Sequence, residues 1–473
     1  MFRKKKTAVA VVAALIFALT FFTAFLNLSS GHNWGGDFSQ YIYQAKALVN
    51  GTVDQFREDN AFIINNSGEG LGLPVYPWGF PVFLSLFIRA GFNTIFLMKI
   101  PGVMLFSLSA VLVFLLSKRR GSTAAAAAGA LIASFSAELS GATNTVLSDI
   151  PYCAFTLLSM LLMEELGYEK YRRKKYILAV LFGLSAMYAT EIRANGFAVI
   201  LTFICGLILL FIKDRIGFIK KMDFADKITW DPGKKPAIAA IISYGIGVLA
   251  FRVILPGSPE SASMFGSNMI GTIVSNTERN LLIMRKLFSF NDDNLNYMLF
   301  AAFLLLALTG FILQFEKNFL LAIYCAGSFF LYMIWPYYQK MRFMYSIAFL
   351  MIPAAVSGYE LVKKKSRISL VIAAVTVSVL LLSGTMLTYN GYQQTFVKHR
   401  ETEKGSYSPD ALATYEYIKE NTSEDSVIIF EKPRVLYLNT GRLGYCRNSR
   451  KVFEDLTADY VLLCSELDMY SEE

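Results

Sequence analysis

The feature that most constrains this chain is a series of long apolar runs, each about the length needed to cross a bilayer. A helix needs roughly twenty such residues to span the ~30 Å hydrocarbon layer. Within that layer only helices or closed barrels satisfy every backbone polar group. The runs fall at about 7–28, 95–117, 123–140, 146–163, 176–192, 196–212, 236–255, 297–315, 318–335, 342–361 and 368–388. They predict an α-helical polytopic membrane protein with about eleven transmembrane helices. The stretch 78–91 is also apolar, but it is only fourteen residues long and contains Pro81 and Arg89. It reads as a re-entrant or interfacial helix.

Composition agrees. With 55% hydrophobic and 17% charged residues in 473, the chain carries more apolar surface than one soluble core can bury. A formal charge of +9 suggests nucleic acid in a soluble protein. Here the basic residues stand in short blocks between apolar runs, which is how orientation is encoded, so nucleic acid is discounted as a partner. Arg3 to Lys6, Lys118 to Arg120, Arg172 to Lys175, Lys213 with Arg215, Lys220, Lys221, Lys234 and Lys235, Lys317, and Lys363 to Lys365 with Arg367 all fall on one side if eleven spans alternate. That side is cytoplasmic and includes the N-terminus, where the basic start and apolar run read as an uncleaved signal anchor. A full span at 78–91 would invert everything after it. The expected location is the cell membrane, with the C-terminal domain extracytoplasmic.

The expected organisation is a transmembrane domain over 1–388 with outer loops 29–94 and 256–296, followed by an extracytoplasmic α/β domain over 389–473. In that small soluble domain, Ser408-Pro409-Asp410 opens a helix to about Glu420, and Val427 to Phe430 and Tyr460 to Cys464 are β-prone. Cys153, Cys205 and Cys325 fall in apolar runs as small hydrophobes, whereas Cys446 and Cys464 both lie in the tail and could pair in an oxidising compartment. No CxxC spacing points to a metal cluster.

Five ionisable residues, Asp37, Asp149, Arg193, Lys340 and Arg342, converge on the outer side in this topology. Asp37, in Gly35-Gly36-Asp37-Phe38-Ser39-Gln40-Tyr41, has the spacing of a helix cap, with Gln40 completing a capping box and Gly51 ending the helix. Asp149 precedes Ile150-Pro151 at the start of the fourth span and again reads as a cap. Glu191, Arg193 and Asn195 connect spans five and six; a pair between Glu191 and Arg193, or snorkelling, is the structural alternative to a site. Lys340 and Arg342 lie outside against the orientation bias, which suggests an anion such as phosphate. Their chemical sense together is a carboxylate that activates a nucleophile and fixed cations that receive a departing phosphate.

The order of Gly36-Asp37-Phe38 with Tyr41, Tyr76-Pro77-Trp78-Gly79-Phe80-Pro81, Ser148-Asp149-Ile150-Pro151, Glu191-Ile192-Arg193 and Lys340-Met341-Arg342-Phe343 resembles the GT-C superfamily of membrane glycosyltransferases. The similarity is to the branch holding protein O-mannosyltransferases and aminoarabinose transferases, and the stretch from Lys432 to Arg442 is similar to the tails of bacterial members. The resemblance implies transfer of a hexose or pentose from a polyprenyl-phosphate donor to a lipid, glycan or protein acceptor on the non-cytoplasmic face, usually with inversion. It implies Asp37 and Asp149 as catalytic acids, and Tyr41, Tyr76, Glu191, Arg193, Lys340 and Arg342 as substrate-binding residues. It assigns no certain cofactor and leaves a divalent cation open. Phe38 stands where aminoarabinose transferases carry the second acid of an Asp-Glu pair, and Tyr76 replaces their lysine. The expected function is therefore a cell-envelope glycosyltransferase. A transporter or flippase of lipid-linked saccharides is the alternative and would place ionisable residues deep in mid-span. A non-catalytic scaffold would make the outer acids dispensable.

Overall fold

The computed structural model of the chain describes residues 2–67, 71–215, 227–255, 257, 269–336, 338–365, 367–447 and 458–467. Most of the stretch 256–268, the basic Lys220 and Lys221, and Tyr337 lie outside the described residues. Ten described helices are long and apolar enough to cross a membrane, and a bent pair, Thr123–Ser134 with Ala137–Asn144, makes up to eleven. The bend of 54° falls where Ser136 caps a new helix, its Oγ accepting from the Leu139 amide at 3.4 Å.

The helices divide into a centre and a shell. Helices α5 (Ile95–Lys118), α8 (Asp149–Tyr168) and α15 (Tyr345–Lys365) are largely enclosed by the others. Helix α16 (Ile368–Tyr392) lies at the periphery, with Leu370 71% and Leu381 64% exposed, as lipid-facing side chains are. Between the centre and the shell, small residues let backbones touch. A Cβ on Gly310 of α13 (Asp293–Leu313) would stand 2.0 Å from the Ala354 carbonyl oxygen, and one on Gly358 would stand 2.1 Å from that of Leu306. Close approach of this kind is what holds helices together where lipid removes the hydrophobic drive.

The segment expected to be a short helix is one. Helix α4 (Gly79–Arg89) has eleven residues, and its rise of about 16 Å is half of what a span requires. It docks on the end of α9 (Arg172–Ile192), where a Cβ on Gly79 would meet the Glu191 carbonyl at 2.5 Å and the Tyr188 hydroxyl donates to the Gly79 oxygen at 2.9 Å. With α4 not crossing, the first long loop and the tail emerge at the same end of the bundle.

Direct bonds bear this out. The Ser406 amide donates to the His32 carbonyl at 2.9 Å, Ser30 N to Arg400 O at 2.7 Å, and Trp34 Nε1 to Glu466 Oε2 at 2.8 Å. In the tail, Ser408 caps α17 (Pro409–Asn421) as its sequence predicts. The strands Ile428–Ile429, Gly444–Tyr445 and Tyr460–Val461 form a small parallel sheet with the first of them central. Helix α18 (Pro433–Thr440) was not foreseen. No disulfide joins Cys446 and Cys464, so the pairing considered for them is not formed.

Candidate active site

The chain enters α2 (Asp37–Asn50) through Gly35-Gly36, and Asp37 is its first residue. The expected capping box does not form. Gly36 occupies the cap position without a side-chain bond, and Gln40 turns inward, its Nε2 donating to the carbonyls of Leu73 at 3.2 Å and Pro74 at 3.1 Å. Gly51 does end the helix, at φ 73°. Freed from the helix terminus, the Asp37 carboxylate takes side-chain donors. Its Oδ1 accepts from the Tyr76 hydroxyl at 2.8 Å and its Oδ2 from Arg342 Nη1 at 3.1 Å.

Asp149 departs from the cap reading in the same way. It is the first residue of α8, and its two oxygens accept from Arg193 Nη1 and, at 3.0 Å, from Arg342 Nε. Arg342 therefore bridges two carboxylates separated by more than a hundred residues of chain. The acids differ in access: the Asp149 side chain is 3% exposed and that of Asp37 is 38%.

Each arginine is aimed by a break in helix. Arg193 leaves α9 with extended backbone, and the tight turn Ala194–Gly196 follows, where a Cβ on Gly196 would strike the Ala189 carbonyl at 2.3 Å. Its guanidinium lies over the rings of Phe343 at 5.8 Å and Tyr152 at 6.0 Å, which favours a cation. Arg342 sits in the turn Lys340–Met344 that opens α15, next to Lys340, which holds a left-handed φ of 56°. Beneath them, hydroxyls of Tyr152, Tyr324 and Ser346 form a buried chain at 2.8 and 3.2 Å, locking α8, α14 (Phe315–Ile334) and α15 together. The acid and arginine are thus mounted on the ends of the enclosed helices, where position is best defined.

Around this core, the Tyr41 hydroxyl bonds Ser148 Oγ at 2.9 Å and its ring lies 5.1 Å from that of Tyr76. Burial, with the Asp37 charge adding to it, pushes the Tyr41 phenol up to about 12 and Tyr76 well above the ordinary tyrosine range. Both remain proton donors at any physiological pH. Two expected residues fall elsewhere. Glu191 pairs not with Arg193 but with Arg252, at 3.2 Å, on α11 (Lys234–Ile254). Lys340 is exposed and makes no ion pair among the described residues.

Sequence reasoning missed Arg434 of α18. It is 6% exposed and donates to the Tyr76 hydroxyl at 3.3 Å. The signal available was a basic residue at the head of an apolar stretch, Val435-Leu436, already noted for its resemblance.

The cluster holds three guanidiniums, of Arg193, Arg342 and Arg434, against two carboxylates, leaving one positive charge in surplus. Its carboxylate oxygens are already paired with arginine or phenol, and no group of three His, Cys, Asp or Glu suited to a metal ion occurs among the described residues. The donor set does not fit a divalent cation. It fits an anion with several oxygens.

Comparison with known proteins agrees on the fold. Residues 81–228, less than half the chain, match the family model of dolichyl-phosphate-mannose-protein mannosyltransferases. Among solved structures, ArnT from Cupriavidus metallidurans in the apo state superposes with a TM-score of 0.56 at 11% identity, covering 93% of this chain and 86% of that one. The same protein bound to undecaprenyl phosphate gives 0.58 at 11% identity, covering 92% and 85%. The oligosaccharyltransferase of Archaeoglobus fulgidus in complex with Zn and sulfate gives 0.54 at 13% identity, covering 92% of this chain and 62% of that one. No curated protein matches the chain in sequence. The chain has the GT-C fold, as its motifs suggested.

Proposed function

We propose, with the GT-C fold as premise, that this protein is a membrane glycosyltransferase that moves a sugar from a polyprenyl-phosphate carrier to an acceptor hydroxyl on the non-cytoplasmic face. The observation that carries the reading is the Arg342 bridge: one guanidinium joins a buried aspartate to a reachable one, beside a second arginine. That arrangement meets both needs of the reaction, a base for the acceptor and fixed positive charge for the leaving phosphate. The ArnT structure with undecaprenyl phosphate and the mannosyltransferase family model support the same donor class.

In the proposed step, the acceptor oxygen attacks the anomeric carbon, and the bond from that carbon to the phosphate oxygen breaks. The electron pair leaves with the phosphate. The acceptor proton passes to Asp37, whose Oδ2 becomes available as Arg342 Nη1 turns to the donor phosphate while its Nε stays on Asp149. Asp149, with both oxygens engaged by arginines, serves to hold Arg193 and Arg342 in place rather than to move a proton. Tyr41 and Tyr76 orient the site as neutral donors. Glu191, engaged by Arg252, would act from outside this core. Lys340, exposed beside Arg342, is available to a phosphate at the rim. A hexose or a pentose donor would suit this chemistry equally. A transporter is disfavoured because the candidate charges stand at helix ends, not in mid-span.

The test uses full-length protein in nanodiscs with undecaprenyl-phosphate mannose as donor. Asp37→Asn is expected to lower transfer by about a hundredfold or more while still binding undecaprenyl phosphate. Arg342→Gln is expected to weaken that binding about ten- to a hundredfold, as loss of a charge-assisted bond does. Unchanged transfer by Asp37→Asn would remove the catalytic assignment.

A further inference from the structure

We infer that Arg434, brought by the soluble tail, is a positioning residue for the reaction: it holds the Tyr76 ring and hydroxyl in place and polarises the bond that the hydroxyl donates to Asp37. The inference rests on the reading of Asp37 given above.

A tyrosine hydroxyl has one proton and can also accept. In this site it meets a guanidinium on one side and a carboxylate on the other. Arg434 Nη1 donates to Tyr76 Oη at 3.3 Å, and Tyr76 Oη stands 2.8 Å from Asp37 Oδ1. A guanidinium cannot accept, so the oxygen must accept from Arg434 and spend its single proton on Asp37. Asp37, as a carboxylate, can only accept and so draws that proton, while Arg434 holds the oxygen from its other side, and each bond polarises the next. The guanidinium also lies 5.5 Å from the centre of the Tyr76 ring, which fixes the ring as well as its hydroxyl.

Among the described residues, Arg434 bonds no carboxylate. Its Nε donates to Asn60 Oδ1 at 3.0 Å, Nη1 to Leu71 O at 2.6 Å and Nη2 to Leu73 O at 3.0 Å. A buried cation supported only by neutral oxygens costs stability, and an apolar residue would anchor α18 at lower cost. Anchorage is already supplied nearby by Tyr437, whose hydroxyl donates to Asp59 Oδ2 at 2.5 Å beside that of Tyr43, also at 2.5 Å. Beyond its bonds to Asn60, Leu71 and Leu73, Arg434 adds the bond to Tyr76. The residues on which it rests, Asn60, Leu71 and Leu73, belong to α3 (Val53–Asn66) and the strand of chain leading to Tyr76. The tail therefore completes the membrane site.

The experiment is infrared difference spectroscopy of full-length protein in nanodiscs, with the Asp37 carboxylate band isolated by subtracting the Asp37→Asn spectrum. Tyr76→Phe, which keeps the ring and removes the hydroxyl, is expected to shift the band. Arg434→Gln should shift it in the same direction, the double variant should add nothing further, and Arg434→Lys should restore part of it. Tyr437→Phe loosens the other tail anchor and should leave the band in place. An unmoved band in Arg434→Gln, additive shifts, or an equal shift in Tyr437→Phe would overturn the inference. None of these readouts depends on turnover, so failure of the transferase reading, seen as sugar transfer by Asp37→Asn, is a separate result.

Discussion

At the scale of the residue, the site is a contest between local and distant partners for the same side chains. Asp37 and Asp149 have the spacing of helix caps, worth about 1 kcal/mol each. Both instead accept from arginines hundreds or tens of residues away, because a guanidinium brings a full opposite charge, which in a partly enclosed site outweighs the partial charge of a helix terminus. His32 follows the same logic with a pH consequence. Its Nε2 accepts from the Val146 amide at 3.1 Å, its Nδ1 lies 3.0 Å from the Asn33 carbonyl, and its ring stacks on Phe38 at 3.7 Å. Burial, with the nearby Lys99 charge adding to it, lowers its pKa from 6.5 to about 4. The folded protein thus keeps His32 neutral where the unfolded chain is protonated, so this contribution is complete above about pH 6.5 and is lost as pH falls towards 4. The loss is on the order of 3 kcal/mol. Thermal melting in detergent should show a fall in Tm across that window that is shallower in His32→Asn; equal slopes would contradict the assignment.

At the scale of the element, the helices are set by composition and their mutual distances by glycine. The spans were legible because solubility in lipid is a property of each window of about twenty residues, whatever the rest of the chain does. Helix α18 was not legible, since eight residues carry too weak a periodic signal and its burial comes from both the first loop and the rest of the tail. Packing sets the cost of change here. Gly310→Val or Gly358→Val places a side chain where the facing carbonyl already stands, and each should destabilise the α13 and α15 pair by about 1–3 kcal/mol. Chemical or thermal unfolding in detergent reads this directly. A variant as stable as the parent would show that these helices can separate without loss.

At the scale of the whole molecule, one parity argument governs. With α4 too short to cross, the first loop, the ends of α9 and α14, and the tail share one face, and the bonds between His32 and Ser406 or Tyr76 and Arg434 require it. The basic blocks favour the outside for that face, which we propose as its orientation. A cysteine introduced at the exposed Glu416 should gain labelling by an impermeant thiol reagent added outside intact cells, and one at the exposed Lys174 should not. The reverse pattern would invert the orientation and remove the proposed access of acceptor to Asp37.

The sequence alone determined the number of apolar runs, their lengths and the end of the bundle at which acids and bases gather, because hydrophobicity and charge are local properties that a bilayer reads segment by segment. Which oxygen meets which guanidinium was decided only in the tertiary structure. Asp37 and Arg342 stand 305 residues apart, and nothing in either neighbourhood records the other. Their meeting depends on the breaks in helix at Arg193 and Arg342, and on a tail that folds back to place Arg434 behind Tyr76.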